Sequence, residues 1–460
     1  MPQIVVSCER SNGVTFCAHM PATKRAVYWV VALAAGVTWA LRRLVHTSPF
    51  YDEWTLISRV IHRSPWSGAF ASFNGHLWVF QDLIYRAQVV WFGAESHWLV
   101  VGVFVMVLVW LHASFTLLAR AVGVPLVPAL AAGLAVTYLG RGAQDFVFAV
   151  QVSPMASLAM VLWVCRVVVS DECSRRSQWL VGGLMLLAVL TESGLGAVGM
   201  VMVAAAISVR WGVRRMACLL PAGLVLVLWW LFADGGPRFP SSALQKARVA
   251  GSLLMHGAGA LVGGAAVAGG AVLVVSASVG AWMWRVGGWH RREAALALAG
   301  VVGALGAAAA VAHARAGMSD LDLADSNRYV HFVAVPVAVT LVAMAAAAQS
   351  VVRSGRHVRV SALLALLGCV AVSMAAENSY SNRFIDTNRL VRDGVNATTV
   401  VVANGCPSDA APAPKARPVG PLSPQVTVGL VAELMERGHL TLVPGARVSD
   451  DLLQIVCPNG

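Results

Sequence analysis

Apolar runs long enough to cross, or nearly cross, a hydrocarbon core of about 30 Å recur from Ala26 to residue 376. A run placed in lipid must satisfy its own backbone N–H and C=O groups, and for a single segment the α-helix does this. The runs fall near 26–44, 98–118, 124–140, 147–169, 178–192, 194–209, 216–232, 265–284, 294–313, 329–348 and 360–376. The expected fold class is therefore an all-α polytopic membrane protein with about eleven spans as the central count. Two places leave the count open. The short pair around Thr191-Glu192-Ser193-Gly194 reads as two spans or as one broken hairpin. The Gly/Ala-rich stretch 251–270 reads as part of a span or as a re-entrant segment before it.

Composition supports the same class. The chain is 58% hydrophobic and 12% charged, about half the charge usual in soluble domains. Its net charge of +12 would suggest nucleic acid in a soluble protein, but membrane proteins collect Lys and Arg in cytoplasmic loops. Only Lys24, Lys246 and Lys415 are lysines, which with the Ala, Val and Gly content points to a GC-rich genome and lowers the weight of any single arginine.

Basic clusters at Lys24/Arg25, Arg175/Arg176, Arg210/Arg214/Arg215, Arg285/Arg291/Arg292 and Arg353/Arg356/Arg359 fall in short turns that alternate with acidic or longer ones. The positive-inside rule places them in the cytoplasm. Residues 1–25 are then a cytoplasmic segment without the apolar core of a signal peptide, with Met20 an alternative start. Residues 26–376 form the membrane domain, and 377–460 an extracytoplasmic tail that reads as a small domain on the membrane face. Segments 45–97, 233–251 and 314–328 become extracytoplasmic loops. Arg42, Arg43, Arg59, Arg63 and Arg86 go against the rule, marking either a weakness in the topology or an anionic ligand. Within the tail, Val426 to Arg437 reads as an amphipathic helix ended by Gly438. Cys406 and Cys457 both lie in this tail and are disulfide candidates if it faces an oxidising compartment.

The first loop carries the densest chemistry: Ser48-Pro49-Phe50-Tyr51-Asp52-Glu53-Trp54, then Phe73-Asn74-Gly75-His76-Leu77-Trp78, then Gln81-Asp82-Leu83-Ile84-Tyr85-Arg86. Adjacent carboxylates repel, and partial burial raises the pKa of at least one, so that it can accept a proton from a hydroxyl. His76 and Asp82 are candidate metal ligands or acid–base partners. The plainer reading makes Asp52 and Glu53 helix-capping acids and Trp54, Trp66 and Trp78 interfacial aromatics. Asp145 and Gln151 read as cavity-lining or helix-end residues, and Glu192 as a functional acid or an interfacial one. Gly259 and Gly263 have the spacing of close helix packing.

An acidic pair just after the first span, in a long loop with in-plane helices, resembles the GT-C class of membrane glycosyltransferases. Tyr51-Asp52-Glu53-Trp54, Asn74-Gly75-His76 and Tyr85-Arg86 are similar to a group of actinobacterial polytopic membrane proteins. The likeness extends to Gly142-Ala143-Gln144-Asp145-Phe146, Phe148-Ala149-Val150-Gln151, Glu192-Ser193-Gly194 and Asn327-Arg328-Tyr329. One departure stands out: Gly75 occupies the position of that group's glutamate, removing a ligand or base.

The resemblance implies a sugar donor carried on a polyprenyl phosphate or diphosphate, an envelope glycan, lipid or protein as acceptor, and inversion at the anomeric carbon. It implies catalytic roles for Asp52, first, and Glu53, second. His76, Asp82, Arg86, Gln151 and Arg328 would bind substrate, the arginines neutralising phosphate or, on the plainer view, snorkelling or pairing with nearby aspartates. A divalent cation, Mg or Mn, would sit on Asp52, Glu53 and His76 if the site uses one. The competing expectations are a lipid or glycolipid transporter or flippase, which calls for ionisable residues deep in the spans, and a non-catalytic scaffold, which Gly75 favours.

Overall fold

The computed structural model describes residues 21–44, 49, 52–73, 75–140, 149–232, 240–264, 266–317, 327–351, 378–404 and 426–442, with isolated residues elsewhere. Among these it is helical, with no strand beyond two isolated bridges. Eight helical segments are long and apolar enough to cross a membrane: Ala22–Leu44, Trp98–Ala121, Ala149–Ser170, Ser193–Arg210, Val213–Phe232, Ala266–Arg285, Arg291–Arg315 and Tyr329–Gln349. Among the described residues the protein is thus all-α, with the helices of a multi-pass membrane protein. The expected spans near 124–140 and 178–192 fall on shorter helices, Leu126–Thr137 and Arg175–Thr191. The one expected at 360–376 lies outside the described residues.

In chain order the helices are α1 (Ala22–Leu44), α2 (Asp52–His62), α3 (Pro65–Ala69), α4 (Val79–Phe92), α5 (Trp98–Ala121) and α6 (Leu126–Thr137). They continue as α7 (Val152–Ser170), α8 (Arg175–Thr191), α9 (Ser193–Arg210), α10 (Leu220–Phe232), α11 (Ala243–Ala260) and α12 (Ala266–Arg285). The last are α13 (Arg291–Arg315), α14 (Asn327–Val351), α15 (Asn378–Asn404) and α16 (Val428–Glu436). One 3-10 turn, Ala149–Gln151, leads into α7, and another, Val213–Leu219, leads into α10.

Helix α7 is the hub. Of the most apolar stretch of Ala149–Ser170, 89% is buried, against 11% for the peripheral Val213–Phe232 and Ala266–Arg285, whose apolar side chains face outward. Helix–helix attraction in lipid depends on close approach rather than on the hydrophobic effect, and small residues permit it. Gly199 of α9 lies against Val161 of α7, Gly303 of α13 against Met202 of α9, and Gly300 of α13 against Thr340 and Pro336 of α14. Gly269 of α12 abuts the backbone of Met255 and Gly259 on α11. Gly259 is therefore at a close crossing as its spacing suggested, whereas Gly263 sits in the turn after α11 with φ +67°. The segment expected as loop 233–251 is helical from Ala243, where Ser242 and Gln245 form a reciprocal capping box.

The bundle has two chemically distinct ends. The start of α2, the N-termini of α7, α9 and α14 and the C-terminus of α13 share one cavity wall and so lie at the same end. The opposite end carries the exposed Arg175, Arg176, Arg214, Arg215, Arg285, Arg291 and Arg292. The C-terminal part of the chain packs on the cavity end. Helix α16 is capped by Thr427, which accepts from Leu430 N, and closes through Gly438 at φ +70°. It meets the first loop through Glu433 Oε2 and His62 Nε2 (2.9 Å), Arg437 donating to Ile61 O (3.0 Å), and Ala94 N donating to His439 O (2.6 Å). Cys457 is buried and disulfide-bonded; Cys406 lies outside the described residues.

Candidate active site

The acidic pair begins α2. Successive residues on an α-helix point about 100° apart, so Asp52 and Glu53 cannot share a direction. Asp52 lines the cavity. Glu53 turns into the protein, fully buried, where Tyr85 of α4 donates its hydroxyl to Oε1 and His97 Nε2 lies 2.9 Å from the same oxygen. Burial first, and the Glu53 charge second, push the Tyr85 hydroxyl well above the ordinary tyrosine value, so it remains a donor. Trp54 Nε1 donates to Pro49 O (2.8 Å).

Asp82 and Arg86 form a separate pair on α4, 3.4 Å apart. Arg86 also donates to the carbonyls of Val60, Arg63 and Ser64, and Arg59 donates to those of Gly68 (2.7 Å) and Ala71 (2.9 Å). These arginines organise the chain between α2 and α4. Burial raises the Asp82 carboxyl above the ordinary aspartate value despite Arg86 and Arg59, and burial lowers the Arg59 guanidinium. Neither Asp82 nor Arg86 is on the cavity wall.

His76 is delivered by a tight reversal. Phe73 N donates to His76 O (3.0 Å) and His76 N to Phe73 O (2.8 Å), with Gly75 between them at φ +83°. A glutamate there would be strained, so the glycine has a local conformational cause. The next three residues clamp onto the start of α9. His76 Nδ1 lies 2.8 Å from Glu192 Oε1, Leu77 N donates to Ser193 Oγ (3.0 Å), and Trp78 Nε1 reaches Glu192 Oε1 at 3.5 Å. Gly194 completes the fit, because a Cβ there would stand 2.9 Å from the His76 ring.

Glu192 caps α9, accepting from Gly194 N (2.9 Å) and Leu195 N. Burial alone would raise its pKa, but the charge and hydrogen bond of His76 and the two backbone donors outweigh burial and hold it below the ordinary glutamate value. In the sequence Glu192 stands out as a functional or interfacial acid within Glu192-Ser193-Gly194. Its pairing with His76, 116 residues away, has no local signal.

The cavity holds about 150 Å³, the size that in an engineered core accepts one benzene ring. Its polar lining is Asp52, His76, Gln151, Glu192, Arg315 and Tyr329; its apolar lining includes Val150, Pro154, Leu195, Val198, Val311 and Phe332. Gln151 is buried, and its Oε1 has no hydrogen-bond partner among the described residues. Such an acceptor marks a place where a ligand donor or water belongs.

Of the residues singled out from sequence, Asp52, His76, Gln151 and Glu192 converge, Glu53, Asp82 and Arg86 lie elsewhere, and the Arg328 side chain and Asp145 lie outside the described residues. Arg315, at the end of α13, joins the cavity without having been anticipated. No group of three or more His, Cys, Asp or Glu among the described residues is arranged to hold a metal, and Asp52, Glu53 and His76 are not one ligand set. No family model matches the chain, and neither a curated protein nor a solved structure matches it.

Proposed function

We propose that the protein is a membrane glycosyltransferase that moves a sugar from a polyprenyl-phosphate-linked donor to a cell-envelope acceptor at the extracytoplasmic face. The observation that carries this reading is the two-sided cavity. Its polar wall gathers two carboxylates, an imidazole, an amide, a phenol and a guanidinium, while its apolar wall is made of the ends of membrane-crossing helices. A donor of this class has the same division: a sugar and phosphate at the interface and a hydrocarbon chain in the lipid. The cavity's size suits one sugar ring.

Three features support the orientation. The exposed clusters Arg175/Arg176, Arg214/Arg215 and Arg285/Arg291/Arg292 lie at the opposite end, which the positive-inside rule assigns to the cytoplasm. Helix α16 packs on the cavity end, and the same C-terminal segment carries a disulfide-bonded cysteine, which suits an oxidising compartment. The five arginines that seemed to break the rule include Arg59 and Arg86, which are held by backbone carbonyls and so have a structural cause.

In the reaction, an acceptor hydroxyl oxygen bonds to the anomeric carbon as the bond from that carbon to the phosphate oxygen breaks. The electron pair leaves with the phosphate, where Arg315 offsets the developing charge. Two groups on the wall can receive the hydroxyl proton, Asp52 and His76. The protein reconstituted in lipid nanodiscs with radiolabelled polyprenyl-phosphate sugars and envelope acceptors should transfer label, and Asp52→Asn should reduce transfer at least tenfold. Lipid movement across vesicles without label transfer would instead favour a flippase, and a fully active Asp52→Asn would remove Asp52 from the chemistry.

A further inference from the structure

We infer that His76, aligned by Glu192, takes the proton from the acceptor hydroxyl, and that Asp52 serves as a binding and charge partner. The inference rests on the glycosyl-transfer reading and assigns its acid–base residue.

The tautomer follows from the partners. An ionised carboxylate only accepts hydrogen bonds, so the 2.8 Å contact between His76 Nδ1 and Glu192 Oε1 places the proton on Nδ1. Nε2 is then the basic nitrogen of a ring that lines the cavity. Glu192 is suited to hold this arrangement. Its side chain is 4% exposed, against 36% for His76, and two backbone N–H groups of α9 fix its oxygens. Trp78 flanks the imidazole with ring centroids 6.2 Å apart and inclined by 28°. The ring is therefore fixed in both position and tautomer, as a general base requires.

The carboxylate behind the ring favours the same role. When His76 accepts the proton at Nε2, the resulting imidazolium lies against the buried Glu192 anion, so the charge formed during attack is stabilised. The proton leaves the acceptor oxygen for Nε2, the oxygen bonds to the anomeric carbon, and the phosphate departs with the electron pair. Among the described residues, the charged or titratable groups facing His76 across the cavity are Asp52 from α2, Glu192 at the start of α9, Arg315 from α13 and Tyr329 from α14.

Two measurements on the full-length protein in nanodiscs test this. The first follows acylation of His76 by diethyl pyrocarbonate against pH, read by peptide mass spectrometry. Loss of the Glu192 charge in Glu192→Gln, whose amide oxygen can still cap α9, should move the His76 titration to lower pH. An unmoved titration overturns the dyad whatever the protein's activity. The second follows label transfer. His76→Asn should lower kcat by 10²–10⁴-fold and abolish the acidic limb of the pH–rate profile. Added imidazole should restore part of the rate to His76→Ala, and Glu192→Gln should shift the acidic limb to lower pH. A His76→Asn enzyme with wild-type rate and pH profile overturns the catalytic role and returns the proton to Asp52. Wild-type protein that transfers no label, yet shows the coupled titration, overturns the glycosyl-transfer reading and the catalytic role with it, while leaving the pairing established.

Discussion

Tyr85→Phe isolates the contribution of the buried carboxylate beside the cavity. The substitution keeps the ring, which is fully buried, and deletes only the hydroxyl that donates to Glu53 Oε1. Glu53 is itself 0% exposed, so water cannot replace the lost donor without opening the packing. Hydrogen bonds to charged groups contribute about 1.5–3 kcal/mol, so Tyr85→Phe should cost about 2 kcal/mol. At about 2–4 °C per kcal/mol this lowers Tm by about 4–8 °C. Tryptophan fluorescence during heating in detergent reads the transition directly. Because the cost arises from removing one of the buried carboxylate's donors, it should largely vanish when Glu53 is already Leu. A double-mutant cycle should therefore give a coupling of about 0.5–3 kcal/mol. A Tyr85→Phe protein within about 0.5 kcal/mol of wild type, or strict additivity with Glu53→Leu, would refute the argument that this carboxylate anchors α2 to α4.

Gly194→Ala should separate catalysis from folding: alanine favours the helix by about 1 kcal/mol, but its Cβ would stand 2.9 Å from His76 Cε1 and Nδ1. Label transfer should fall at least tenfold with Tm unchanged or raised, and full activity would show that His76 need not keep its place. For topology, a cysteine at exposed Ser64 on the cavity end should react with an impermeant maleimide in intact cells, whereas one at exposed Arg214 should react only after permeabilisation. The reverse pattern would put the cavity in the cytosol and end the extracytoplasmic reading.

The legible parts of this chain are those whose information is local. Apolar length located the major helices, and α16 with its terminal glycine could be read because capping and amphipathic period are written in adjacent residues. The acidic pair was legible as a site marker but not as a pair, since helical geometry separates neighbours that sequence places side by side. Asp52 reaches the cavity and Glu53 is taken up by Tyr85 and His97. His97 carries no motif, and its role arises because the start of α5 is folded back against α2. Helix packing likewise brings Glu192 to His76 and places Arg315 on the same cavity wall as Asp52.

That packing also explains why the polar groups gather at one end. A carboxylate within a span would need partners drawn from neighbouring helices, but at a helix N-terminus the backbone itself supplies donors. Glu192 uses the first N–H groups of α9 in this way, and the reversal at Gly75 brings an imidazole to its remaining acceptor capacity. The arrangement keeps an ionised group beside lipid without placing it in lipid. Because the N-termini of α7, α9 and α14 open onto the same cavity, their positive dipole ends favour an anionic occupant there. A substrate that is a sugar phosphate at its head and a hydrocarbon along its length satisfies both demands, and this is why the cavity's two-sided lining weighs more in the functional reading than any one residue on it.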